Sequence, residues 1–288
     1  MSQTLPIATL GRTGIDVTRL GFGTAVGEFI ELDKWQAILN TVLDQGINFI
    51  DTANDYGLSW DRPAEEMIGK YLADRRSEYY LATKCGCSLD GHIWTRENLF
   101  RGLHESLSRL RTDYIDVMQM HNPSVEECQS GDLVRALEDM RQEGKVRWIG
   151  VSTTLPDLPT FLEWGVFDVF QIPYSALQRE HEDWIAQAAR AGIGTVIRGG
   201  VAQGEPGVGQ GRADRWQRYD QAALEEICPS AETRTSFMLR HTLTHPDIHT
   251  IIVGTANLDH LRENVAAVLR GPLPDDVYTE INRRLDAI

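Results

Sequence analysis

Short apolar, β-branched runs alternate along the chain with longer amphipathic stretches. The runs fall at 19–24, 48–50, 79–83, 114–120, 148–151, 169–172, 194–197 and 250–253, eight in all. Between and after them, apolar positions at helical spacing predict helices at 33–45, 63–73, 96–110, 131–142, 155–165, 181–191, 231–241 and 257–269. A ninth helix, 275–285, follows Gly271-Pro272. Thr95 precedes Arg96-Glu97-Asn98 as a helix N-cap, and Gly46 and Gly192 stand where left-handed C-caps are expected.

Strands alternating with helices imply right-handed crossovers and a parallel sheet. Eight such units in 288 residues predict an α/β fold, a closed (β/α)8 TIM barrel carried by a single domain over 1–288. The rival, a doubly wound open sheet, wants a Gly-x-Gly-x-x-Gly turn after its first strand. Gly21, Gly23 and Gly27 miss that pattern, because the third glycine comes one residue late. Residues 7–17, turning at Gly11-Arg12-Thr13-Gly14, predict an N-terminal β-hairpin that plugs the barrel's N-terminal end. Residues 199–210 hold five glycines and read as a mobile binding loop after the seventh strand.

Composition narrows the function classes. The formal charge is −14, and such a field repels phosphate backbones, so no nucleic-acid partner is expected. No apolar run approaches the ~20 residues of a membrane helix, and the first ten residues lack the pattern of a signal peptide. The four cysteines, at 85, 87, 128 and 228, fit reduced thiols in a cytoplasm. Cys85-Gly86-Cys87 is not the spacing of a zinc pair, and no metal is expected.

Chemistry in such a barrel sits at the C-terminal strand ends. The second run ends in Asp51, the third in Thr83-Lys84 and the fourth in Met120-His121, while Tyr56 lies five residues past Asp51. Each has an ordinary reading alone: a turn Asp, a solvated Lys, a core His. At consecutive strand ends they suggest proton donation to a carbonyl. A free tyrosine, with pKa ~10, is a poor acid, and a nearby ammonium is expected to lower that value. Asp51 would pair with Lys84, and His121 would hydrogen-bond the substrate oxygen. No side chain delivers hydride, so a nicotinamide cofactor is implied.

The sequence resembles the aldo-keto reductase family of NAD(P)(H)-dependent oxidoreductases, from about Leu10 to Asn264. The resemblance rests on Gly46-Ile47-Asn48-Phe49-Ile50-Asp51-Thr52-Ala53 with Tyr56-Gly57, on Ala82-Thr83-Lys84, and on Ser106-Leu107-Ser108-Arg109-Leu110-Arg111-Thr112-Asp113-Tyr114-Ile115-Asp116 with His121. Gly144-Lys145-Val146-Arg147-Trp148-Ile149-Gly150-Val151-Ser152 completes it. It implies a catalytic tetrad of Asp51, Tyr56, Lys84 and His121, with Tyr56 as general acid. It implies cofactor contacts from Gly23, Thr24, Asp51, Ser152, Thr153, Gln171 and Arg198. In the last barrel loop and helix it adds Gly254, Thr255, Asn257, His260, Glu263 and Asn264.

Thr153 stands where many members have Asn, and Arg198 where many place an aromatic ring against the nicotinamide. The usual cations for the 2′-phosphate are missing at Gly254, Asn257 and His260, so NADP(H) is expected with NAD(H) left open; His260 or Arg262 is the candidate compensation. With Ile288 as its last residue, the sequence is expected to lack the long C-terminal loop that shapes specificity in larger relatives, and Trp60 and Trp94 are candidate pocket walls. The expected function is reversible interconversion of an aldehyde or ketone and an alcohol. The alternatives are an aldose dehydrogenase acting oxidatively, a non-catalytic cofactor-binding regulatory subunit, and a metal-dependent barrel hydrolase. The first two partners of the protein are then its cofactor and a small-molecule carbonyl or alcohol.

Overall fold

The computed structural model describes residues 4–58, 63–88 and 91–288. A hairpin opens the chain, β1 (Ile7–Thr9) antiparallel to β2 (Asp16–Thr18). The barrel follows as β3 (Leu20–Gly23), α1 (Trp35–Asp44), β4 (Phe49–Asp51), α2 (Ala64–Leu72) and β5 (Tyr80–Cys85). A ribbon of β6 (Cys87–Ser88) and β7 (Gly91–His92) precedes α3 (Arg96–Leu110), β8 (Ile115–His121), α4 (Val125–Ser130) and α5 (Leu133–Gln142). Next come β9 (Val146–Ser152), α6 (Leu158–Trp164), β10 (Val169–Pro173), α7 (Glu182–Arg190) and β11 (Gly194–Arg198). The chain finishes with α8 (Ala213–Gln221), α9 (Arg234–Thr244), β12 (Thr250–Val253), α10 (Leu258–Leu269) and α11 (Asp275–Asp286).

The eight barrel strands are parallel and close in the order β10-β11-β12-β3-β4-β5-β8-β9. All eight expected runs are barrel strands, and the fold is a (β/α)8 TIM barrel. Thr95 caps α3 by accepting from Asn98 N at 3.2 Å. The helix expected from 131 starts at Leu133, because Asp132 sits at φ 49° and cannot begin a right-handed turn. The helix expected over 231–241 starts at Arg234, after Thr233 caps it. Two helices went unread: α4, announced by a Ser124–Glu127 capping box, and α8, whose buried face is only Trp216 and Tyr219.

The hairpin plugs the N-terminal end of the barrel, as its position suggested. Leu10, Ile15 and Val17 pack with Phe49, Ala82, Val117, Val169 and Val196, which line the barrel floor. Glycine makes the seat: a Cβ on Gly194, the first residue of β11, would lie 2.7 Å from the Leu10 side chain. Arg12 tethers the turn from outside, donating Nη2 to Phe167 O at 3.2 Å.

Buried carboxylates tie the strands and helices together. Asp116 on β8 accepts from Arg76 Nη2 at 2.6 Å, Arg147 Nη1 at 3.0 Å and Leu81 N at 2.9 Å. Glu65 on α2 accepts from Thr83 Oγ1 at 2.6 Å and Arg109 Nε at 2.8 Å. Among the described residues no helix is long and apolar enough to cross a membrane.

The plug lies at the end of the barrel opposite the rim where Asp51 and His121 end their strands, so its packing is separable from whatever those groups do. Leu10 is fully buried, and Leu10→Ala leaves a cavity. Urea unfolding is expected to show a loss of about 2–5 kcal/mol, with turnover retained. A loss under about 0.5 kcal/mol, the range of ordinary surface substitutions, contradicts the plug's structural role.

Candidate active site

Three adjacent strands deliver three of the expected groups to the C-terminal rim. Asp51 ends β4, Lys84 is the penultimate residue of β5 and His121 ends β8. Tyr56 arrives on the turn after β4, where its backbone carbonyl accepts from Ala64 N at 2.9 Å at the start of α2. Asn54 in the same turn donates Nδ2 to Cys87 O at 3.0 Å, and its carbonyl accepts from Arg109 Nη2 at 3.4 Å. The turn is thus held from both sides.

Lys84 Nζ donates to Asp51 Oδ2 at 2.7 Å, Thr52 O at 2.9 Å and Tyr56 Oη at 3.3 Å. All three ammonium protons are therefore engaged. The other Asp51 oxygen accepts from Gln171 Nε2 at 2.7 Å and Gln119 Nε2 at 3.1 Å. Both ions are almost wholly buried, the Lys84 side chain 0% exposed and Asp51 2%. Burial opposes the Lys84 charge, but Asp51 and Tyr56 outweigh it and hold its pKa above the ordinary lysine value.

Tyr56 corrects one expectation. Burial raises its phenol and Lys84 lowers it, and burial prevails, so the pKa stands above the ordinary tyrosine value. The ammonium pulls the value back without bringing it below that of a free phenol. His121 shifts the other way: burial first, then the charges of Lys84, His92 and Arg198, lower its pKa to about 2. The ring is neutral. Its Nδ1 lies 2.9 Å from Cys87 Sγ and 3.7 Å from Asp55 Oδ1. The Cys87 thiol is pushed up, first by burial and then by the Asp55 charge, so it keeps its proton. The Tyr56 and His121 rings meet edge-on at 5.9 Å between centroids.

The expected cofactor residues ring the same rim. Ser152 ends β9 and donates Oγ to Asn122 Oδ1 at 3.3 Å; Arg198 ends β11 and donates Nη2 to the same oxygen at 3.4 Å. No carboxylate pairs with Arg198 among the described residues, and its buried Nε has no hydrogen-bond partner. Gln171 spends its Nε2 on Asp51, and buried Thr153 donates to Thr154 O at 3.4 Å. Thr24 donates N and Oγ1 to Asp51 O at 2.9 and 3.2 Å. Gly23 and Gly254 touch, and a Cβ on Gly254 would collide with the Gly23 carbonyl oxygen. Thr255 Oγ1 accepts from Asn257 N at 3.1 Å, and Asn257 caps α10 by accepting from Asp259 N at 2.8 Å. On α10, Glu263 accepts from Thr233 and Ser236, Asn264 is buried and His260 half-buried. Arg262, exposed on α10, pairs with Asp259 at 2.9 Å.

The loop over 199–210 does not stand apart from the fold. Ala202 is buried and its carbonyl accepts from Trp216 Nε1 at 3.2 Å. Trp94 stacks on His92, with centroids 5.4 Å apart and planes 12° from parallel. Trp60 lies outside the described residues. Four residues at the site escaped the sequence reading. Gln119 and Cys87 carry no signal of their own. Asn122 adopts φ 59°, which only the structure reveals, and His92 sits on a ribbon too short to predict.

Comparison with known proteins supplies the class. The model of the aldo/keto reductase family matches residues 19–286, and the chain belongs to that family. Its members are oxidoreductases that use nicotinamide cofactors. The L-galactose dehydrogenase of Arabidopsis thaliana is 28% identical over 286 residues, covering 92% of this chain and 88% of the relative. The NADH-specific methylglyoxal reductase of Escherichia coli is 28% identical over 304 residues, covering 90% and 92%. The aldo-keto reductase AKR11C1 of Bacillus halodurans, in its holo form, superposes with a TM-score of 0.85 at 28% identity, covering 97% of this chain and 96% of that one.

The neutral state of His121 has a measurable consequence. Its folded pKa, about 2, lies below the ~6.5 of an unfolded histidine, so between these values the unfolded chain binds the extra proton. The stability this residue contributes is complete above the unfolded pKa and is lost as pH falls toward the folded one. Imidazole ¹⁵N NMR is expected to show no titration of His121 between about pH 5 and 8. Acid unfolding of His121→Gln should be less steep than that of the wild type. A His121 midpoint near 6.5 contradicts the buried, neutral assignment.

Proposed function

We propose that the protein reversibly reduces an aldehyde or ketone to an alcohol with a nicotinamide cofactor, Tyr56 acting as general acid. The observation that carries this reading is the single ammonium of Lys84 donating to both Asp51 and Tyr56 Oη. An oxygen that accepts from Lys84 keeps its own proton available for a substrate oxygen. As that proton leaves, phenolate charge develops 3.3 Å from Lys84 Nζ, in a buried setting where the attraction is strong. Burial of the neutral phenol and support of the phenolate are then two parts of one device. The group holds its proton at rest and releases it when the carbonyl oxygen becomes basic.

Neutral His121 supplies a second hydrogen bond. A protonated Cys87 thiol donates to Nδ1, which leaves the ring's own proton on Nε2. That tautomer donates to the substrate oxygen without adding charge. The reduced nicotinamide, when bound, supplies the hydride to the carbonyl carbon. Carbonyl, hydride and the Tyr56 proton together make the alcohol, and solvent returns the proton to Tyr56.

The chain's own residues fit such a cofactor. Half-buried Arg198 has a buried, unpartnered Nε, a polar atom that a bound group can satisfy. Ser152, Thr153 and Gln171 would hold the nicotinamide amide, with Asn122 positioning Ser152 and Arg198. The glycine-lined loop at Gly254 and Thr255, the N-terminus of α10 and Gly23-Thr24 would receive the phosphates. His260, Glu263 and Asn264 would meet the adenosine end. NADP(H) is the proposed cofactor by family habit; with Arg262 paired to Asp259, discrimination against NAD(H) is small.

A second reading is an aldose dehydrogenase working oxidatively, favoured by the resemblance to the Arabidopsis L-galactose dehydrogenase. The chemistry at Tyr56 is the same in reverse. A panel of aldehydes, ketones and sugars separates the two. The intact tetrad counts against a purely regulatory role.

Tyr56→Phe removes the acid and keeps the ring. The expected result is a kcat lower by roughly 10²–10⁴-fold, with cofactor Kd changed by less than about threefold. Fluorescence titration with both nucleotides should show a preference below about a thousandfold. Retention of more than about a third of wild-type kcat contradicts general acid catalysis by Tyr56.

A further inference from the structure

The β6–β7 ribbon assembles a second donor set beside the tetrad. Cys87 and His92 face each other across its antiparallel pair, and His121 ends β8 close by. One ligand atom from each of Cys87, His92 and His121 lies within 4.8 Å of the other two. Cys87 is buried, His121 half-buried and His92 exposed, so the set opens to solvent through His92.

The ribbon is held in place. Asn54 Nδ2 donates to Cys87 O at 3.0 Å, Asn98 Nδ2 to Ile93 O at 2.8 Å, and Trp94 stacks on the His92 ring. Asp55 Oδ1 lies 3.7 Å from His121 Nδ1, beside the set and outside it. A tetrahedral zinc ion, with Zn–S about 2.3 Å and Zn–N about 2.0–2.1 Å, sets S···N separations near 3.5 Å. Cys87 Sγ and His121 Nδ1, now 2.9 Å apart, need open by only about 0.6 Å, and exposed His92 swings in. Sulfur and two imidazoles select zinc-class ions over Mg²⁺ or Ca²⁺.

We propose that Cys87, His92 and His121 form a zinc-class metal site, with solvent as the fourth ligand, whose occupancy inhibits the enzyme. On binding, the Cys87 S–H bond breaks, its proton goes to solvent and a sulfur–metal bond forms, with no change of oxidation state. Opening the Cys87–His121 pair shifts the His121 ring away from Cys87 and moves its Nε2 donor off the position that meets the substrate oxygen. The metal-free protein is the active form. The inhibition rests on the proposed role of His121; the metal site does not.

The test uses Co²⁺ as a spectroscopic probe and Zn²⁺ as the inhibitor. Metal-free wild type should bind about one equivalent of Co²⁺ with a thiolate-to-cobalt charge-transfer band, which Zn²⁺ displaces. Zn²⁺ should lower carbonyl-reduction turnover by about tenfold or more, and EDTA should restore it. His92→Ala should keep metal-free turnover and weaken both the Co²⁺ complex and the zinc inhibition by about tenfold or more. Cys87→Ser should abolish the band. Absence of a thiolate band, or undiminished zinc inhibition in His92→Ala, overturns the proposal. A thiolate band in a protein that turns over no carbonyl substrate upholds the metal site and counts against the proposed function instead.

Discussion

The buried ion pair of Asp51 and Lys84 is the constraint on which the site depends. Taking two ions out of water costs several kcal/mol each, and their attraction offsets this only when the remaining donors and acceptors are met. Here they are. Lys84 gives three hydrogen bonds, and the two Asp51 oxygens accept from Lys84, Gln119 and Gln171. The partners come from four strands, β4, β5, β8 and β10, so only the closed barrel brings them together. In the proposed reaction Tyr56 is the member of the set that exchanges a proton with the substrate. Its two opposing influences, burial and the ammonium, both follow from its place at the edge of this pair.

Stability and chemistry occupy opposite ends of the barrel. At the floor, Leu10, Ile15 and Val17 fill the space between strand starts with apolar contact alone. At the rim, the strand ends carry Asp51, Lys84, His121, Ser152 and Arg198, a concentration of polar groups that a purely structural surface does not need. The ribbon after β5 adds Cys87 and His92 to that rim. In the two proposals Cys87 is shared: as a thiol it sets the tautomer of His121, and as a thiolate it holds a metal beside that ring.

The repeating pattern of the sequence made the barrel legible. Parallel strands buried on both faces read as apolar runs whatever their partners, and Asp51, Lys84 and His121 announced themselves as titratable groups directly after such runs. What stayed hidden depends on distant parts of the chain. Gln119 is 68 residues from Asp51 and does not differ in sequence from a surface glutamine; Gln171, 120 residues away, is expected at the cofactor, and its bond to Asp51 is not legible. Asn122 matters because its left-handed backbone turns one oxygen toward both Ser152 and Arg198. Cys87 stands in a Cys-Gly-Cys whose spacing does not suit a zinc pair; the histidines near it arrive on a ribbon and a barrel strand. The phenol of Tyr56 was expected to be acidic because the ammonium was legible and the extent of burial was not.

The central claim is that the charge of Lys84, anchored by Asp51, sustains Tyr56 as a proton donor. ¹³Cζ-tyrosine NMR, following the Tyr56 phenol through an alkaline titration in the wild type and in Lys84→Met, tests it most directly. The account predicts that phenolate forms at lower pH in the wild type than in the variant, because removing the cation leaves burial and the Asp51 charge unopposed. A Tyr56 that titrates at the same pH in both proteins, or earlier in Lys84→Met, contradicts it.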